Sequence, residues 1–92
     1  MAKTRSFGGV TQAIWECVKT TSFQQHGTTY VPPDGNQGTA TTSIPAIGDL
    51  VLNFVLDPMR DTVTYTIVKK PWIVSEDQVW SGTQDTIDGC QG

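Results

Sequence analysis

The residues between 49 and 70 constrain this chain more than any other segment. Leu50, Leu52, Phe54 and Leu56 alternate with Val51, Asn53 and Val55, and further on Val63, Tyr65 and Ile67 alternate with Thr62, Thr64 and Thr66. A period of two is the signature of an extended strand with one dry and one wet side. Between the two runs, Asp57-Pro58-Met59-Arg60 places Asp first and Pro second in a reversal, the chemistry a type I turn prefers. So short a link allows only antiparallel pairing. The spacing therefore predicts a hairpin with arms at 49–57 and 62–70.

An isolated hairpin is marginal in water, so other elements must cover its dry side. A third strand is expected at 39–45, where Pro45 removes a donor and Gly48 opens the next turn. A further strand is expected at 12–22, with Ala13, Trp15, Cys17 and Lys19 on one side and Ile14, Glu16, Val18 and Thr20 on the other. The β-branched Val18, Thr20 and Thr21 favour that reading over a short helix capped by Thr11. Fourteen threonines strengthen the β tendency, since a branched Cβ suits the wet side of a sheet.

Ser75-Glu76-Asp77-Gln78 is a capping box with two acids in the first turn, where the helix dipole favours them. Val79, Thr83, Thr86 and Cys90 recur at helical spacing, flanked by Trp80 and Ile87, with Asp77, Asp85 and Asp88 opposite. A helix over 76–89, ended by Gly89, follows. The fold class is thus α+β: an antiparallel sheet of about four strands (12–22, 39–45, 49–57, 62–70) packed by one C-terminal amphipathic helix. Residues 1–92 form a single small domain, with a flexible N-terminal segment at 1–9 and a long loop at 24–38 holding Pro32-Pro33 and Asp34-Gly35-Asn36.

Charged residues make up 16% of the chain, below the roughly 25% usual for soluble domains, and the net charge is −3. The six Lys and Arg residues are scattered along the sequence, which argues against the basic stripe of a nucleic-acid binder. No apolar run is long enough to span a bilayer, and no apolar core follows the basic start to make a signal peptide. The chain reads as cytoplasmic by default, or as exported if a leader preceded it and its two cysteines are bridged. Cys17 and Cys90 stand near opposite ends, either as two reduced thiols or as one disulfide, and a bridge would close most of the domain into a loop.

No cluster carries a recognisable chemistry. His26 has no nucleophile or carboxylate partner evident in sequence, Asp57 and Asp61 read as turn formers, and neither cysteine has metal-finger spacing. No cofactor, metal or catalytic residue is expected. What remains is recognition: Tyr30, Pro32, Pro33 and Asp34 in the long loop, and Trp72 and Trp80 beside the acidic helix, are the candidate partner-binding residues. The leading expectation is a non-enzymatic module that binds a protein partner. The alternatives are a self-associating structural subunit pairing through an edge strand, and a small-ligand or glycan binder using tryptophan and threonine on the wet sheet face.

Overall fold

The computed structural model describes residues 3–91. Its elements run β1 (Thr4–Phe7), α1 (Gln12–His26), β2 (Thr29–Val31), β3 (Gln37–Ile44), β4 (Gly48–Asp57), β5 (Thr62–Lys69) and α2 (Glu76–Gln91). The strands form one antiparallel sheet in the order β1-β5-β4-β3-β2, so the α+β class read from the sequence is the observed one.

The central hairpin has the expected form. Phe54 opposes Tyr65 and Leu56 opposes Val63, all buried, while Asn53 and Val55 oppose Thr66 and Thr64 on the outer side. Its turn is closed by Arg60 N–H donating to the Asp57 carbonyl (3.2 Å), and the Asp57 carboxylate accepts from Met59 N–H (3.1 Å). On the outer side hydroxyls pair across strands, Thr4 with Thr66 (3.1 Å), Ser6 with Thr64 (2.8 Å) and Thr39 with Asn53 (3.3 Å). Such cross-strand pairs let this side stay wet without charge.

Two helices cover the dry side. The C-terminal one begins at the capping box, with Gln78 N–H donating to Ser75 Oγ (3.1 Å) and Ser75 N–H donating to Gln78 Oε1 (2.9 Å). It buries Val79, Trp80 and Ile87 and runs through Gly89 to Gln91, two residues beyond the expected end. Gln91 Nε2 then donates to the Gly9 carbonyl (2.8 Å), docking this end on the β1–α1 loop.

The other helix corrects the strand expected at 12–22. Thr11 caps it by accepting from Ile14 N–H (3.2 Å), and Gly27, in the left-handed conformation at φ 68°, ends it by donating to the Phe23 carbonyl. Trp15, Val18, Lys19 and Ser22 are buried, a stripe of period 3.6 instead of two. The stripe is hard to see because half of it is polar. Ser22 Oγ donates to the Val18 carbonyl (2.7 Å), and Lys19 Nζ donates to the Pro33 carbonyl (3.0 Å) and pairs with Glu16 (3.2 Å). These contacts let polar side chains sit where the sequence pattern calls for apolar ones.

Two further expectations change. Residues 4–7 of the segment expected to be flexible form edge strand β1, anchored by buried Phe7. The long loop at 24–38 is largely structured, since α1 extends to His26 and β2 and the start of β3 occupy part of the rest. Only residues 27–28 and 32–36 remain as connections, the longer one tightened by Gly35 N–H donating to the Pro32 carbonyl (3.2 Å).

A disulfide joins Cys17 on α1 to Cys90 on α2, with Cα atoms 5.9 Å apart. It ties together the two helices that cover the sheet. Among the described residues no helix is long and apolar enough to cross a membrane.

Candidate functional site

The sheet has two ends, and they differ in packing. At the β4–β5 turn the space under the helices is filled: Trp15 packs on Phe54 at a centroid distance of 5.1 Å, and Phe7 lies 6.0 Å from Tyr65 and 6.2 Å from Trp80. Towards the β3–β4 turn the filling stops. A cleft of about 310 Å³ opens there between the two helices and the sheet.

Its floor is the dry side of the sheet, with Ala40 and Thr42 from β3, Leu50 and Leu52 from β4, and Tyr65 from β5. Helix α1 supplies one wall through Val18, Ser22 and His26, spaced four residues apart and therefore on one line of the helix. The opposite wall is one side of α2 between Gln78 and Thr86, with Gln78, Val79, Gly82, Thr83 and Thr86, and Val74 closes the rim. Gly82 keeps this wall low, since a Cβ built there meets nothing within 4 Å. The Cys17–Cys90 bridge holds the helices on the closed side, because all the α1 wall residues follow Cys17 and all the α2 wall residues precede Cys90.

The chemistry of the cleft is apolar with neutral polar groups. Among the described residues no Asp, Glu, Lys or Arg lines it, and its side-chain polar atoms come from hydroxyls, Gln78 and His26. Thr28 and Thr42 hydroxyls bond to each other at 2.6 Å. Burial pushes the Tyr65 phenol well above its ordinary pKa, and the neighbouring Tyr30 adds to the rise. Tyr30 is also raised by burial, with the Ser22 hydroxyl partly opposing the effect. Both phenols are therefore neutral at physiological pH and able to donate or accept a hydrogen bond.

The six residues expected to bind a partner do not come together. Tyr30 packs edge-on against Trp15 (5.8 Å) and Phe54 (5.5 Å), so its ring belongs to the core and the cleft margin instead of to an exposed loop. Trp80 is a core residue, 3% exposed. Pro32, Pro33 and Asp34 are exposed in the β2–β3 connection, near the β4–β5 turn, where Leu56 N–H donates to the Asn36 carbonyl. Trp72 is 90% exposed at the other end of the sheet. None of the three tryptophans lies on the threonine-rich outer side, because Trp15 and Trp80 are on the helices and Trp72 is in the β5–α2 connection.

Sequence reasoning missed the cleft because it read residues 12–22 as a strand. The signals present were a glycine in the middle of the expected C-terminal helix at Gly82 and the spacing Val18, Ser22, His26, the second legible only once α1 is a helix. Among the described residues no group of three His, Cys, Asp or Glu side chains is placed to hold a metal ion. No family model matches the chain, and no curated protein or solved structure matches it.

Proposed function

We propose that this domain binds a small, uncharged, largely apolar molecule in the cleft between its helices and sheet, without acting on it. The observation that carries the reading is the cleft itself. At about 310 Å³ it has roughly the volume of ten water molecules and stands at the small end of ligand pockets. Apolar walls favour displacing that water, and neutral phenols, hydroxyls and Gln78 can orient a carbonyl or hydroxyl on the ligand. The absence of charged groups from the lining disfavours ionic ligands, whose desolvation would go uncompensated.

This reading is preferred to a protein-binding module because the residues expected to form that surface are split between the core and the two ends of the sheet. It is preferred to edge-strand self-association because the edges are only four and three residues long.

The test is titration with a neutral, environment-sensitive naphthalene ketone such as prodan. Saturable uptake at one site is expected, lost in Gly82→Leu, whose side chain fills the low wall. Absence of saturable uptake, or uptake unchanged in Gly82→Leu, refutes the reading.

A further inference from the structure

Most hydroxyl hydrogens around the cleft are already committed to the fold. Ser22 Oγ donates to the Val18 carbonyl (2.7 Å), Thr83 Oγ1 to the Val79 carbonyl (2.8 Å) and Thr86 Oγ1 to the Gly82 carbonyl (3.1 Å). Thr28 and Thr42 bond to each other, and the Tyr30 phenol has the Ser22 hydroxyl as its partner. These oxygens can still accept, but each hydroxyl has one hydrogen to give. Gln78 and His26 keep N–H groups, yet both residues are exposed, where water competes for those donors.

Tyr65 is the exception. It is 3% exposed on the cleft floor, and its ring lies against Phe7 (6.0 Å) and Trp15 (6.2 Å). Its hydroxyl bonds to no group among the described residues. Among those residues Glu76 Oε1 is the one buried side-chain polar atom that is sealed from solvent without a partner. The Tyr65 hydroxyl is therefore not sealed, and the open space that its side chain borders is the cleft. Burial keeps the phenol protonated, so its hydrogen is there to be given.

We infer that Tyr65 selects what the cleft holds, by donating a hydrogen bond to a carbonyl oxygen on an otherwise hydrocarbon molecule, a ketone or an ester. The inference rests on the cleft reading and adds the ligand's polar group and the place where it is held. A phenol gives its hydrogen more readily than an aliphatic hydroxyl and accepts less readily, because the ring draws on the oxygen lone pair. A carbonyl therefore suits it better than a ligand donor does. Val18, Leu52 and Val79 line the same space and take the hydrocarbon body. Phe7 and Trp15 hold the Tyr65 ring in place before a ligand arrives, which keeps the ordering cost of the contact small. Without such a partner the buried donor is a standing cost, and an apolar ligand leaves that cost in place.

The test is a cycle of two ligands and two proteins, followed by methyl NMR titration of the full chain. The ligands are acetophenone and isopropylbenzene, in which a methyl group replaces the carbonyl oxygen and the outline is kept. The proteins are the native chain and Tyr65→Phe. Both ligands are expected to saturate the native cleft. Tyr65→Phe is expected to weaken acetophenone about threefold to tenfold, the effect of one net hydrogen bond, and to leave isopropylbenzene unchanged. The same variant should keep its urea midpoint or raise it, because the hydroxyl it removes bonds to no protein group; a lower midpoint would mean a structural role and overturns the assignment. An equal change for both ligands, or acetophenone that fails to saturate where isopropylbenzene does, overturns the role of Tyr65 and leaves the cleft reading standing. Saturation by neither ligand overturns both.

Discussion

Replacing both Cys17 and Cys90 by serine should remove a large part of this domain's stability. The bridge spans 73 positions of sequence. In the chain-entropy treatment, closing a loop of that length lowers the entropy of the unfolded chain by an amount worth about 4.4 kcal/mol at 25 °C. A domain of this size has roughly 5–14 kcal/mol in total, so the loss ranges from a third to most of it. Serine is suited to the test because Thr21 Oγ1 already lies 3.7 Å from Cys17 Sγ and 3.6 Å from Cys90 Sγ, giving a replacement hydroxyl a partner. The cost then reports the lost crosslink and not an orphaned polar group. Urea unfolding followed by circular dichroism measures it, and the midpoint should fall by roughly 2–4 M for ordinary slopes. A stability loss under about 1 kcal/mol would refute the reasoning, since it would mean the unfolded chain is as restricted without the bridge as with it.

Other perturbations probe separate parts of the fold. Trp15→Ala should cost about 3–5 kcal/mol in thermal or urea unfolding, because Trp15 is fully buried against Phe54, Tyr30 and Tyr65. Gly38→Ala should be destabilising by roughly 1–3 kcal/mol or more by the same assays, since Gly38 has φ 154° and a Cβ there would collide with the Val31 carbonyl. Ser75→Ala should lower stability by about 0.5–2 kcal/mol through loss of the α2 cap. The chain has two tyrosines, and both have pKa values raised by burial in the folded state. Above about pH 10 the unfolded chain therefore gives up phenolic protons that the folded chain retains, so stability is complete below that pH and falls as pH rises through the folded values. Ultraviolet titration should show phenolate appearing together with loss of secondary structure; early, independent ionisation would contradict the burial.

What could be read from the sequence followed the strength of local signals. The hairpin was legible because Leu52, Phe54 and Leu56 are buried on the dry side while Asn53 and Val55 face water, so burial and alternation agree. Helix α2 was legible through its capping box and the buried Val79 and Ile87. Helix α1 was not, because Lys19 and Ser22 occupy its buried line through bonds to Pro33 and Val18 that a sequence cannot display. The edge strands were hidden by brevity: β1 has one buried residue, Phe7, and β2 has none. Trp72 and Trp80 looked equivalent in sequence, but one sits in a turn closed by Lys70 and the other on the inner side of α2. The cleft depends on all of these at once, being the gap left where α1, α2 and the sheet fail to meet.

The central claim, that this gap receives a small neutral molecule, is tested most directly by methyl NMR during titration with menthol. Saturable shifts are expected for Val18, Leu50, Leu52 and Val79, with Val63 and Leu56 at the closed end unaffected. Methyl signals that stay fixed throughout, or that move equally at both ends, would contradict it.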